Sequence, residues 1–452
     1  MIKNKKYFHK ERGKIEFLKK MLNNKYGALE IALNSRLDKS IQKKTKIHVI
    51  WYAAACILIF SLFFFISIIG CSKSDEKSAN STAYDRGGEV MPDNLVLCRE
   101  DFTVKYKDGT ISLSRDGGKT YNKSIFVDDK DLQGIHVFEN GTLFFVDHTK
   151  CYYSHDWETL HESTVLDING DPFVPYKYHN FSINMGGDTH RHIIDGQEIL
   201  CWGNYDYQYD TQYKNVNVWY TVDKGETVKT AYKFRSTEAD DGSGNLYTRH
   251  VHNVNFNPSD NTFWLQTGDF ISNGVDQRHV LKGTYDLHED EWNWSLVGTG
   301  HEFKWCNALF IGDYIYFSWD VSNGGVVRVP YDKANDISKH DLILATPNDC
   351  LAVIKSHKDE IIAVQAPYGG DDDSRNLYYS PDRKTWYRIE NTIPEGYSMI
   401  AFLADMSTDN WGRVRATPQN MSPHKVLPAI FLDEIVREAG FPDAFKPINS
   451  VP

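Results

Sequence analysis

The sequence predicts an all-β protein built as a repeat array behind a basic, membrane-directed N-terminal stretch. Three observations carry this expectation. The first is an octapeptide, Ser114–Tyr121, reading Ser-Arg-Asp-Gly-Gly-Lys-Thr-Tyr. It fits a turn whose Asp carboxylate accepts backbone N–H groups while Gly supplies a positive φ. Looser copies are Thr221-Val-Asp-Lys-Gly-Glu-Thr-Val228, Ser380-Pro-Asp-Arg-Lys-Thr-Trp386 and Ser154-His-Asp-Trp-Glu-Thr-Leu160. The second is the apolar or aromatic alternating run before each copy, such as Trp219-Tyr220 and Leu377-Tyr378-Tyr379. The third is composition, with 13% aromatic residues among many Gly, Asn and Asp, which suits strands joined by turns.

The N-terminal region stands apart. Lys and Arg far outnumber Asp and Glu from Met1 to Cys71, and the balance reverses over the rest of the chain. So acidic a remainder argues against nucleic acid or anionic lipid as a partner of the folded part. Residues 1–48 form a basic extension, and Val49–Gly70 is an apolar run without a charge. That run is long enough to span a bilayer, and its basic flank places the preceding side in the cytoplasm. It ends in Ile68-Ile69-Gly70-Cys71, which resembles a bacterial lipobox. The resemblance implies cleavage before Cys71 and its lipidation, giving a cell-envelope protein held at the outer membrane or cell surface. The other reading is an uncleaved single-pass anchor with a cytoplasmic head. The basic extension exceeds that of an ordinary signal peptide. Residues 72–92, charged and lacking apolar periodicity, read as a linker.

Across residues 93–425 a unit of about 45–55 residues recurs. Strong middle strands are expected at Thr142–Val146, Ile199–Gly203, Thr262–Gln266, Tyr314–Trp319 and Ile361–Gln365. Their partners are Cys151–Ser154, Val216–Thr221, His279–Tyr285, Val326–Pro330 and Asn376–Ser380. With a first hairpin over Phe102–Ser114 this makes six units. Met399–Leu403 and Gly412–Ala416 either complete the first or form a seventh. Leu427–Ala439 has helical apolar spacing stopped by Gly440 and Pro442, so residues 426–452 read as a helix and tail. Seven scattered cysteines without a C-x-x-C spacing point to buried free thiols rather than zinc or a disulfide framework.

The octapeptide resembles the Asp box, S-x-D-x-G-x-T-W, of the sialidase-like BNR-repeat β-propellers, over roughly Leu95 to Thr417. That resemblance implies a six- or seven-bladed propeller whose Asp boxes sit on outer hairpins, away from a central site. Sialidases also carry Arg-Ile-Pro before the first box. None occurs here, and the nearest string, Arg328-Val-Pro330, lies in another unit, so a strict sialidase is not expected.

Histidine is the most uneven residue in the array. His179, His190, His192, His250 and His252 crowd one stretch, and His301 opens the next unit. Arg191, Arg249, Tyr178 and Trp305 accompany them. Such a set resembles that of propeller polysaccharide lyases, which neutralise a uronate carboxylate, remove the C5 proton and protonate the leaving oxygen. Neutral imidazole suits proton transfer near neutrality. His190-Arg-His192 and His250-Val-His252 each put two imidazoles on one strand face, which also suits a metal. The expected catalytic set is therefore His190, His192, His250, His252 and His301. Arg191, Arg249, Trp305, Asp269 and Asp320 are the expected substrate-binding set. Asp188, Asp206, Asp269 and Asp320 are the candidates for a two-carboxylate glycosidase. Asp371-Asp-Asp373 lacks calcium-loop spacing and reads as a solvated turn. Tyr205, Tyr207, Tyr209 and Tyr213 suit either sugar stacking or ordinary packing. The functional expectation is a propeller acting on carbohydrate, as hydrolase or lyase, with a non-catalytic glycan- or protein-binding propeller as the alternative. The sequence names no cofactor, and the fold alone does not choose between these readings.

Overall fold

The structure is a computed structural model that describes residues 96–99, 102–127, 132, 134–147, 149–173, 192–204, 216–268, 271–272, 274–365, 376–390, 392, 398–399, 412–416, 418–420, 425–426 and 430–445. The apolar run Val49–Gly70, Cys71 and the linker lie outside these residues. So do Tyr178, His179, Asp188, His190, Arg191, Asp206, Asp269, the Tyr205–Tyr213 cluster, Asp371–Asp373 and most of Met399–Leu403. Among the described residues no helix is long and apolar enough to cross a membrane.

Among the described residues, six sheets of four or five strands follow one another along the chain. The first holds Val96–Arg99, Phe102–Lys107, Thr110–Ser114 and Lys123–Phe126. The second holds Gly134–Val137, Leu143–Val146, Cys151–Ser154 and His161–Glu162. The third runs His192–Ile194, Gln197–Gly203, Asn217–Thr221 and Thr227–Lys233, and Thr164–Val165 adds a parallel outer strand. The fourth is His250–Asn257, Thr262–Gly268, His279–Asp286 and Glu291–Thr299. The fifth is Trp305–Ile311, Tyr314–Trp319, Gly325–Pro330 and Asp341–Ala345. The sixth is Cys350–Lys355, Ile361–Gln365, Leu377–Ser380 and Tyr387–Ile389. Each middle strand and each partner strand expected from the sequence is present, with ends shifted only slightly.

Short hairpins follow from turn chemistry. Asp108-Gly109 and Asp195-Gly196 both have positive φ at each residue, which matches the right-handed twist of the strands they join. The four Ser/Thr-Asp segments each connect the third and fourth strands of their sheet, in an eight-residue form from Ser114 and Thr221 and a seven-residue form from Ser154 and Ser380. In the first, Gly118 N–H donates to Ser114 Oγ at 2.8 Å and Thr120 N–H to Asp116 Oδ1 at 2.9 Å. Thr227 N–H likewise donates to Asp223, Thr159 N–H to Asp156 and Thr385 N–H to Asp382. Hydrogen bonds from the Ser114 hydroxyl and from Thr120 hold the Asp116 carboxyl well below the usual carboxylate range.

Why the sheets assemble radially is visible in the core. Successive residues of a strand face opposite sides of its sheet, and here both sides are covered. Phe145 packs toward the first sheet while its neighbour Phe144 packs toward the third. Phe263 and Leu265 face the third sheet while Trp264 faces the fifth. Separate apolar layers thus fill the space between each sheet and the next, through the sixth. The first strand of the fourth sheet is buried throughout, whereas its last strand, Glu291–Thr299, is largely exposed. Inner strands buried and outer strands wet is the signature of a β-propeller.

Buried asparagines stitch the inner strands together. Asn255 Oδ1 accepts from Ala308 N–H at 2.9 Å, joining the fourth sheet to the fifth. Asn307 joins the fifth to the sixth twice, accepting from Val353 N–H at 2.9 Å and donating to Val353 O at 2.8 Å. Val251 N–H donates to Asn204 O at 2.8 Å, joining the fourth sheet to the third.

The C-terminal segment differs from the sequence expectation. The helix spans Leu432–Glu438, not Leu427–Ala439, because Ile430–Phe431 pairs as a strand with Arg415–Ala416. Val414 N–H then donates to Asp433 Oδ1 in the first helical turn. Val414, Leu432 and Val436 pack on the sixth sheet, and the adjacent Arg413 donates to Gly117 O and Thr103 Oγ1 of the first. The two ends of the array are therefore bridged.

Asn307→Ala should lower unfolding stability by about 2–3 kcal/mol, because it strips the buried N–H and C=O of Val353 of their side-chain partner. Denaturant titration monitored by tryptophan fluorescence checks this. A loss below about 0.5 kcal/mol would show that the asparagine bridge is not a structural tie.

Candidate functional site

The leading ends of three inner strands share an irregularity. In the fourth sheet the register slips between Val251 and Asn253, leaving His252 as the extra residue. In the fifth it slips between Trp305 and Ala308, and in the sixth between Cys350 and Ala352. A bulge adds a residue and re-aims a side chain. Bulges at equivalent places in the fourth and fifth sheets turn His252 and Cys306 toward one another at the same mouth of the array.

His252 is fixed first. Its ring Nδ1 lies 2.8 Å from Trp305 O. A carbonyl can only accept, so Nδ1 carries a proton, and in the neutral ring Nε2 is the nitrogen with the lone pair. Nε2 faces the Asp320 carboxylate at 3.8 Å. Gly268 makes room for the ring, since a Cβ there would stand 2.1 Å from His252 Cε1. Cys306 Sγ lies 3.8 Å from Nδ1.

Charge completes the group. Lys304 Nζ lies 2.9 Å from Asp320 Oδ2, and both side chains are largely buried. Asp349, just before the sixth sheet's inner strand, hydrogen-bonds Asp320. Burial pushes the Asp349 carboxyl up to about 6; the neighbouring Asp320 charge adds to this, and the Lys304 ammonium partly offsets it. Below about pH 6 Asp349 therefore holds the proton of the pair and shares it with the Asp320 carboxylate, and above that pH the proton is lost. Asp349 is half-buried, whereas His252 and Cys306 are each 1% exposed. The side of the cluster open to a ligand is Asp349 and Lys304, and the imidazole and thiol stand behind them.

The structure brings together part of the expected set. His252 and Asp320 converge, and the His250 ring lies 5.1 Å from that of His252. Arg249 directly precedes His250 and is half-buried. His301 sits on the rim, exposed, in the short 3-10 turn His301–Phe303, with its ring 5.1 Å edge-on to Trp319. Two residues correct the expectation. His192 stands at the other end of the strands, its ring 5.1 Å from Phe256 and 5.4 Å from Phe263, because it pairs with Ile199 close to a hairpin turn. Trp305 offers no stacking surface to a ligand: it is 0% exposed and stacks on Phe317 at 4.0 Å in the layer between sheets. The sequence reading missed Lys304, Cys306 and Asp349 as members. Their signal was positional, since Lys304-Trp-Cys306 and Asp349-Cys350 lead the fifth and sixth inner strands as Arg249–His252 leads the fourth.

At the opposite end of the fifth and sixth sheets lies a cleft of about 570 Å³ lined by Asp313, Tyr314, Arg328, Asp359 and Arg383 among others. Its two arginines are paired, Arg328 with Asp341 and Arg383 with Asp359. It is remote from the cluster described above.

No family model matches this chain, and no curated protein matches it. Solved structures do resemble it. A streptogramin B lyase is 13% identical over 73% of this chain and 92% of its own, with a TM-score of 0.43. YCF48 from Cyanidioschyzon merolae is 11% identical over 72% and 94%, with a TM-score of 0.42. PorZ of the type-IX secretion system of Porphyromonas gingivalis is 10% identical over 78% and 46%, with a TM-score of 0.38. Likenesses this distant carry no argument, and the propeller assignment rests on the sheet order and core layers of the chain itself.

Proposed function

We propose that this chain is a carbohydrate-acting propeller whose channel-mouth cluster performs proton-transfer chemistry on an acidic polysaccharide, as a lyase. One observation carries the reading: two hydrogen-bonded carboxyls, Asp320 and Asp349, stand beside the Lys304 ammonium and in front of the His252 imidazole. In a β-elimination the Lys304 ammonium neutralises the uronate carboxylate, which acidifies C5–H. The carboxyl pair takes the C5 proton, the C4–O bond breaks, a C4=C5 double bond forms, and the pair returns a proton to the leaving oxygen. His252 stands behind Asp320, its Nε2 3.8 Å from the carboxylate. The exposed His301 and half-buried Trp319, next in sequence to Asp320, supply a rim against which a sugar ring can lie. Carboxyls in hydrogen-bond contact are closer than the roughly 5 Å or more that a two-carboxylate glycosidase needs, which favours lyase over hydrolase. The second reading, a non-catalytic glycan- or protein-binding propeller, is favoured by the near-complete burial of His252.

The same reading places the chain among the sialidase-like, Asp-box propellers with six blades. The four Ser/Thr-Asp turns and the six sheets support it. It also takes the chain to be a bacterial surface lipoprotein attached through Cys71, supported by the apolar run and lipobox-like string in the sequence.

Incubation with uronate-containing and neutral glycans should yield unsaturated uronate, seen by its ultraviolet absorbance, from the former alone. Asp349→Asn should cut that rate by about 100-fold or more while leaving the unfolding midpoint within a few degrees. New reducing ends without unsaturation would turn the assignment to hydrolase. Binding without any cleavage would turn it to a lectin-like propeller.

For the anchor, Cys71→Ala should abolish metabolic labelling with a lipid precursor and leave a larger precursor chain. A wild-type protein that keeps its full length in the membrane would replace lipidation with a single-pass anchor.

A further inference from the structure

We propose that His252, Cys306 and Asp320 form a binding site for a zinc-class transition-metal ion. This goes beyond the glycan reading and does not rest on it. One donor atom from each residue lies within 4.8 Å of the others, and all three residues are buried. His252 belongs to the fourth sheet and Cys306 and Asp320 to the fifth, so local sequence does not impose their meeting.

The donor chemistry selects the ion. An imidazole nitrogen, a thiol sulfur and a carboxylate oxygen together suit zinc or a similar borderline cation, whereas magnesium and calcium require oxygen alone. In tetrahedral zinc sites neighbouring donor atoms stand about 3.3–3.6 Å apart. Here Nε2 of His252 is 3.8 Å from Asp320 Oδ2 while Cys306 Sγ is 3.8 Å from Nδ1 of the same ring, so closing the site requires the thiol side chain to swing toward Nε2. The surroundings resemble those of a metal-bound histidine, whose other ring N–H is held by a carbonyl. Trp305 O does this for Nδ1 at 2.8 Å, and Gly268 leaves space for the ring that any side chain would fill. Asp349, hydrogen-bonded to Asp320, is placed to be the fourth ligand, or a water takes that position.

Lys304 is the competitor. Its Nζ lies 2.9 Å from Asp320 Oδ2 and neutralises the carboxylate that the cation would claim. Binding therefore moves one positive charge out as two come in. The Cys306 S–H bond breaks, the sulfur pair goes to the metal and one proton leaves to solvent.

The test uses the full chain in detergent, stripped with chelator and then titrated with zinc and, separately, with cobalt(II). The expected result is one ion per chain by elemental analysis, a near-ultraviolet thiolate-to-cobalt charge-transfer band, and a proton released in buffer-dependent calorimetry. Cys306→Ser should remove the band and weaken zinc binding on the order of 100-fold. Lys304→Met removes the ion pair that competes for Asp320 and should tighten binding by about tenfold, an effect a merely structural lysine would not give. Cys306→Ser is near-isosteric, so it remains informative if His252→Gln fails to fold. No stoichiometric zinc, or zinc binding unchanged in Cys306→Ser, overturns the proposal. Neither outcome touches the glycan assay, whose readout is product.

Discussion

The rest of the molecule depends on one constraint: its inner strands are covered on both sides. A strand pressed between two neighbouring sheets cannot turn its polar groups to water, so any polar side chain on it must find a partner inside. Asn255 and Asn307 meet this by reaching sideways to the backbone of the next inner strand. The outcome is a tie between sheets that apolar packing alone would leave free to slide. Hydrophobic layers fill the gaps between sheets, and the amide bonds set their register.

The site inherits its precision from that register. Asn307 lies inside the fifth sheet's bulge, directly after Cys306, and Asn255 follows the His252 bulge in the same strand of the fourth. The residues that lock sheet to sheet thus neighbour the residues that meet at the mouth. Electrostatics then shapes the cluster. Two carboxyls, one ammonium and one imidazole share a volume with little water. The charge of Asp320 is balanced by Lys304, whereas Asp349 gains only part of that benefit. Sharing a hydrogen bond between the carboxyls lowers the cost of placing them together. Such an arrangement is ready to move a proton or to receive a cation.

Much of the fold was legible because its signals are local. Aromatic alternation located the middle strands, and Asp and Gly in fixed places located the outer turns. The C-terminal helix was over-extended because Leu427–Phe431 carries helical spacing, yet Ile430–Phe431 is captured by strand pairing with Arg415–Ala416. The site was less legible. His252 and Asp320 stood out by residue type, whereas Lys304, Cys306 and Asp349 are ordinary residues made significant by bulges that have no sequence signature. His192 was misjudged because the same residue type near a strand end can face either end of the array, and only register decides. Trp305 was misjudged because a tryptophan at a strand's leading end looks like a platform until its stacking on Phe317 is seen.

The central claim is that bulged inner strands gather His252, Asp320, Asp349 and Lys304 at one mouth of the propeller. A crystal structure of the metal-free protein tests it most directly. It should show the Asp320 and Asp349 carboxyls in hydrogen-bond contact, Lys304 Nζ near 2.9 Å from Asp320, and His252 Nδ1 on Trp305 O. Carboxyls more than about 6 Å apart, or a His252 ring turned away from Asp320, would contradict the account.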